Sequence, residues 1–214
     1  MPEYSSYNEV PWVAQADEIV EIIIEQGCKN ISNFAFMNMS HLFAVCIPET
    51  VEHIGRYAFS GSFSLINVEI PPSVKSIDES AFEDAQSLQT LILNEGLCHI
   101  ASLSFANCSS LEYVKFPSSS LVSIGRSAFE GASSLTSIML PATLKKINAS
   151  TFANCTSLTE VKLTDQLEEI GENAFMGCQA LKILHIPKNV NKIEAGAFND
   201  CKALCAILSK CNLK

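Results

Sequence analysis

The chain has 214 residues, 48% of them hydrophobic and 17% charged, a balance that excludes a disordered polymer and calls for a buried core. Its formal charge is −9 and lysine and arginine form no cluster, which excludes a phosphate-neutralising nucleic-acid surface and disfavours an anionic membrane. No window approaches the roughly 18 uninterrupted apolar residues of a membrane span, so no membrane insertion is expected.

Residues 1–18 are the least repetitive. Met1 to Glu9 carry no basic segment followed by an apolar run, so they do not read as a secretory signal. A cytoplasmic location is the default expectation, with the cell surface by an unconventional route as the alternative. Pro11-Trp12-Val13 supplies the only tryptophan, and its bulk suits the closure of a core end. From there one motif recurs. Ile31, Ile54, Ile77, Ile100, Ile124, Ile147, Ile170 and Ile193 are spaced by 23 residues, with a single step of 24, and a phenylalanine follows each by five. A fixed period of roughly 20 to 29 residues predicts a leucine-rich solenoid. The expected division is an N-terminal cap and half-repeat (1–30), seven repeats (31–192) and a C-terminal partial or capping repeat (193–214).

Each repeat has two halves. Leu135, Ile138 and Leu140, ending at Pro141, alternate with period two, as a strand with one buried face requires. Proline donates no ladder hydrogen bond and stops the pairing at Pro48, Pro71, Pro117, Pro141 and Pro187. In the other half, Phe152 and Cys155 stand three apart, the spacing of one short helical turn. The ninth position holds Met39, Ser62, Ala85, Cys108, Ala132, Cys155, Cys178 and Cys201, a small slot in which free cysteine packs as a small hydrophobe. The expected fold is an α/β repeat solenoid: a right-handed leucine-rich-repeat stack with a parallel concave β-sheet and short helical turns on the convex side. At about 4.8 Å per strand it forms a rod on the order of 40 Å long.

The segments Ile54-Gly55-Arg56-Tyr57-Ala58-Phe59, Ile124-Gly125-Arg126-Ser127-Ala128-Phe129 and Ile170 to Cys178, the first two running into a Leu-x-x-Val/Ile-x-Leu/Ile strand and the third into the same pattern with Leu184 at its fourth position, resemble the BspA-like leucine-rich repeats over roughly residues 19–208. The resemblance implies a surface antigen or adhesin of bacteria or parasitic protozoa that binds host or matrix proteins. The chain departs from the more widespread leucine-rich consensus in having no asparagine ladder. Its apolar residue after the strand also comes one position early, as at Leu144, Leu167 and Val190.

Catalytic chemistry has little to build on. His53 and His99 share a repeat column but stand two repeats apart, roughly 10 Å by strand spacing, too far for one metal. The four histidines are read as solvated surface groups. No Gly-x-Ser-x-Gly, P-loop, His-Glu-x-x-His or paired Cys-x-x-Cys motif occurs. Asn38, Asn107 and Asn154 lie in glycosylation sequons, but they share one repeat position where asparagine suits turn geometry. The expected function is a non-enzymatic scaffold for protein–protein interaction, with no cofactor, no metal and a protein partner on the concave face. The alternative is a metal-dependent or enzymatic module using Cys201, Cys205 and Cys211.

Outward-pointing strand positions locate the candidate contact surface. Phe43 occupies a column shared with Gln89, Glu112, Thr136 and Thr159, so its ring should leave the sheet on the solvent side. Val20, Ile23, Phe43, Cys46 and Ile66, with Ile92 and Tyr113 further along, form the predicted protein-binding set. Residues 1–18 either cap the end of the stack or fold back over this set.

Overall fold

In the computed structural model, which describes residues 1–209, the repeats wind into a solenoid with two parallel β-ladders along its length. The first ladder comprises Glu21–Ile23, Ala44–Cys46, Asn67–Ile70, Thr90–Leu93, Tyr113–Lys115, Ser137–Met139, Glu160–Lys162, Ile183–Ile186 and Ala206–Ser209, which pair as strands in four successive groups, of two, three, two and two. Its burial alternates, as in Asn67–Ile70, where Val68 and Ile70 face the core and Asn67 and Glu69 face solvent. The registers follow the repeat, pairing Ile22 with Val45 and Val68 with Leu91. Equivalent repeat positions therefore stack on one another, apolar on apolar along the core face. That period-two pattern is why a one-residue slip is disfavoured: it would turn the whole apolar set outward.

A second ladder runs through the opening isoleucines as two-residue strands, from Asn30–Ile31 and His53–Ile54 to Lys192–Ile193. These strands lie in the half of the repeat whose Phe152-to-Cys155 spacing predicts a turn. The ladder breaks once, between Ser123–Ile124 and Lys146–Ile147, just after the 24-residue repeat. There the Asn148 side-chain amide donates to the Ile124 carbonyl, at 2.6 Å. Elsewhere the backbone makes this link, as when the Gly55 N–H donates to Ile31 at 2.8 Å.

The expected short helical turns are not present. Two three-residue 3-10 turns, Tyr7–Glu9 and Val13–Gln15, precede the repeats, and no α-helix occurs among the described residues. The physical reason lies in left-handed residues placed four apart. Phe34, Tyr57, Ser80, Leu103, Ser127, Ser150, Asn173 and Gly196 all have φ between 54° and 68°. Four positions later Asn38, Gly61, Asp84, Asn107, Gly131, Asn154, Gly177 and Asp200 have φ between 56° and 76°. A helix cannot propagate through such residues. Instead they turn alternate amides along the rod, so that the Phe34, Phe36 and Asn38 N–H groups donate to Arg56, Ala58 and Ser60 of the next repeat at 2.7–2.8 Å. The amides between them close short turns, as Ala35 does to Ser32. The spacing of three between Phe152 and Cys155 reports such a turn: the Cys155 N–H donates to the Phe152 carbonyl at 3.4 Å.

The second left-handed column also explains its own composition. Asparagine, aspartate and glycine tolerate this geometry best. A Cβ on Gly61 or Gly177 would lie 2.6 or 2.5 Å from the Asn38 or Asn154 side-chain oxygen of the preceding repeat. Asparagine in one turn thus requires glycine in the next.

Inside, the phenylalanines stack into one spine. From Phe36 through Phe59, Phe82, Phe105, Phe129, Phe152 and Phe175 to Phe198, neighbouring ring centroids lie 5.0–5.8 Å apart with planes within 27° of parallel. Trp12 adds a further ring on Phe36, at 5.5 Å and 16°, and its indole N–H donates to the Ala35 carbonyl at 2.6 Å. The ninth-position slot is sealed along the stack up to Cys201, which is half-buried: Cys108, Cys155 and Cys178 are fully buried. Their thiols donate to the carbonyls of Phe82, Phe129 and Phe152 at 3.3–3.4 Å. Burial raises all three pKa values, that of Cys178 to about 12, so they remain protonated and inert.

Candidate functional site

The outward columns of the first ladder begin with an apolar cluster. The Phe43 N–H donates to Val20 at 2.9 Å and the Ile66 N–H to Phe43 at 3.3 Å, so Val20, Phe43 and Ile66 stand side by side, each immediately before its strand. Ile23 pairs with Cys46 one column over. Val20, Ile23, Phe43 and Ile66 are exposed by 50%, 69%, 48% and 38%, and Cys46 is exposed too. Residues 1–18 therefore leave this surface open. They lie across the end instead, where Met1 and Trp12 border a cleft of ≈ 450 Å³ with Ile22, Ile24, Cys28 and Phe36.

Ile92 and Tyr113 are not part of that cluster. Ile92 is half-buried and pairs with Glu69 on one side and Lys115 on the other, so a carboxylate separates it from Cys46. Tyr113 is exposed but pairs with Thr90, two strands beyond Asn67. It borders a different groove of ≈ 320 Å³ with Phe116 and Met139. Met139, 63% exposed, was missed by the sequence reading although it occupies the outward column of Cys46 and Lys115. Grooves of ≈ 600 and ≈ 700 Å³ lie beside His185 towards the last described strand.

The four histidines are not all freely solvated. His53 is half-buried on the second ladder, with Nδ1 2.6 Å from the Ser76 hydroxyl and Nε2 3.1 Å from the Asp78 carboxylate. The hydrogen bond to Asp78 raises its pKa above the ordinary 6.5 against the cost of burial, helped by the charges of Asp78 and Glu3. Protonated His53 donates through both nitrogens. Folding thus favours the protonated form, and this contribution is complete below about pH 6.5 and lost as pH rises through the folded value. The stability advantage of the native chain over Asp78→Asn should therefore be larger at about pH 5.5 than at about pH 8.5. Thermal unfolding of both proteins at the two pH values checks this, and an unchanged difference contradicts it. The Ser76–His53 pairing recurs as Ser123–His99 at 2.8 Å without a carboxylate. The column is a row of ladder neighbours, not an assembled nucleophile.

Metal chemistry finds no constellation. Among the described residues no group of three or more His, Cys, Asp or Glu side chains converges as ligands would. Cys201 donates to the Phe175 carbonyl at 3.1 Å and Cys205 to Lys182 at 3.3 Å, which sends the two thiols to separate partners. Cys211 lies outside the described residues. No helix of the described residues is long and apolar enough to cross a membrane.

Two rows of parallel strands, a buried phenylalanine spine and a face of side chains in repeat register define a leucine-rich-repeat solenoid, a scaffold of the kind that generally mediates protein interactions. The chain belongs to the family of the BspA type leucine rich repeat region, which matches residues 14–132 and 122–214 in six copies. Its fold is similar to that of the Treponema protein T. pallidum Leucine Rich Repeat protein, with TM-score 0.70 and 29% identity over 76% of this chain and 78% of that one. It is also similar to a leucine rich cell surface protein from Faecalibacterium prausnitzii A2-165, with TM-score 0.60 and 26% identity over 92% of this chain. The match spans 61% of the Faecalibacterium protein's length. A leucine-rich repeat protein from Eubacterium ventriosum shares the fold, with TM-score 0.63 and 21% identity over 100% of this chain and 66% of that one. No curated protein matches the chain.

Proposed function

We propose that the chain is a non-catalytic protein-binding scaffold whose partner docks on the first-ladder face, the concave side of the solenoid, at Val20, Ile23, Phe43, Cys46 and Ile66. Ile92 and Tyr113 extend the contact along the stack. The observation that carries this reading is the contiguous exposed cluster on strands in register. A chain of net charge −9 gains no stability from holding these side chains in water, and contiguous exposed apolar patches mark contact sites. An adhesin or surface-antigen role is the version suggested by the cell-surface protein of Faecalibacterium. Surface labelling of intact cells tests that version, and labelling confined to lysed cells counts against it.

Truncation of an aromatic anchor at an interface costs about 2 kcal/mol or more, roughly thirtyfold in affinity. Phe43→Ala combined with Ile66→Ser should therefore weaken capture of purified host-matrix proteins by at least that factor. Both side chains are exposed, so the melting temperature should move by only about 2 °C. Surface plasmon resonance and calorimetry on the same preparations check both halves. A melting temperature lowered as far as by loss of a spine phenylalanine would show that the pair is structural.

A further inference from the structure

The carboxylates around the apolar cluster form no ion pair among the described residues. Residues 1–100 hold 14 acidic and 3 basic side chains, and two of those three cations are used beside the second-ladder strands. Lys29 pairs with Glu52 at 3.7 Å and Arg56 with Glu79 at 2.8 Å, while Lys75 reaches the Gly96 turn. On the cluster's side, Glu21 projects outward between Val20 and Ile23, and Glu25 follows Ile24. A groove of ≈ 360 Å³ beside Cys46 is lined by Val45, Ile47 and Pro71 and flanked by Glu49 and Glu69. Glu69 accepts a hydrogen bond from the neutral Asn94 amide at 3.0 Å. None of Glu21, Glu25, Glu49 and Glu69 is in an ion pair among the described residues.

The cluster thus joins an apolar strip to a groove with an apolar floor and a negative rim. We infer that this surface takes an extended, basic polypeptide segment, its apolar side chains on Ile23, Phe43 and Ile66 and a lysine or arginine between Glu49 and Glu69. The inference rests on the docking face proposed above and adds the class of partner. A neutral apolar segment would leave the carboxylates without a counter-charge. An acidic segment would be repelled by all four of them, and like-charge juxtaposition of this kind is how interfaces reject wrong partners. The aliphatic stem of lysine or arginine also suits the groove, since it lies along Val45, Ile47 and Pro71 while the charged head reaches the rim.

Three fluorescein-labelled peptides of one length test the inference by anisotropy: leucine–lysine, leucine–glutamate and serine–lysine, each with serine spacers. The leucine–lysine peptide is expected to bind best and to weaken as salt rises from about 50 to about 500 mM. Glu49→Gln with Glu69→Gln should lower its affinity roughly three- to tenfold and flatten the salt dependence. Phe43→Ala with Ile66→Ser should remove the binding. Two results overturn the inference while the docking face survives: equal binding of the leucine–glutamate peptide, or capture of matrix proteins that depends on Phe43 and is indifferent to the Gln variants. A Phe43-dependent dimer in sedimentation would also overturn it, making the occupant a second copy of the chain. If neither peptides nor matrix proteins respond to Phe43 and Ile66, both readings fail together.

Discussion

Phe82→Ala should destabilise the solenoid by about 3 to 5 kcal/mol, the usual cost of deleting a buried phenylalanine ring. Phe82 is fully buried, with Phe59 at 5.0 Å on one side and Phe105 at 5.2 Å on the other. The substitution therefore leaves a cavity and also removes two stacking contacts, each worth about 0.5 to 1.5 kcal/mol beyond area burial. The neighbouring turns are tied to one another by amides that run along the rod, including Phe82 N–H to Ser104 and Phe59 N–H to Ala81 at 2.7–2.8 Å. The backbone thus resists collapse into the void, which holds the cost towards the upper end. Phe198→Ala is the control: its ring is half-buried, with Phe175 at 5.8 Å as its ring neighbour among the described residues. Its loss should cost clearly less. Urea denaturation followed by circular dichroism measures both. A Phe82→Ala cost below about 1 kcal/mol would mean that the spine is not what holds the repeats in register.

The repeat made most of this architecture readable in advance. Ile and Phe at a fixed separation place the buried columns, and the period-two pattern of Leu135, Ile138 and Leu140 places the first ladder. Neither signal speaks to the turn half. Phe152 to Cys155 reads as one turn of helix by spacing alone, because spacing is blind to the sign of φ. The contrary signal lay in composition, in the Asn, Asp and Gly that fill the column from Asn38 to Asp200. The companion column from Phe34 to Gly196 carries Phe, Tyr, Leu and Ser in the same left-handed geometry. Those residues are poor markers of it, since they are held there by the hydrogen bonds between repeats. The second ladder escaped for a similar reason. Two-residue strands such as His53–Ile54 are too short to show an alternation.

The candidate surface was legible for the same geometric reason and to the same extent. Once Phe43 is assigned to the column of Gln89 and Glu112, its outward direction follows from strand geometry. Whether residues 1–18 cover it depended on packing that no repeat pattern describes. His53 shows the same limit. Its column is visible in the chain, but its partners Ser76 and Asp78 come from the next repeat, 23 and 25 residues away.

Trp12→Ala is the second large effect expected, and it should differ in kind from the first. Trp12 extends the ring stack past Phe36 and ties residues 1–18 to the repeats through its N–H bond to Ala35. Phe36, Ile22 and Ile24, all buried, share the cleft it borders and would gain access to water. Deleting such a side chain costs about 3 kcal/mol, the lower end of the range because Trp12 is itself only half-buried. In a solenoid each repeat draws its stability from its neighbours, so a defect at the end is felt first by the end. Amide exchange should therefore accelerate across residues 19–60 while the repeats around Phe129 keep their protection. In Phe82→Ala the loss should fall in the middle of the stack. Trp12→Phe separates the two roles of the indole: it keeps a ring on Phe36 and gives up one hydrogen bond, for about 1 kcal/mol. Uniform acceleration along the whole chain in Trp12→Ala would show a single cooperative unit, and unchanged exchange at residues 19–60 would show that Trp12 does not close the core.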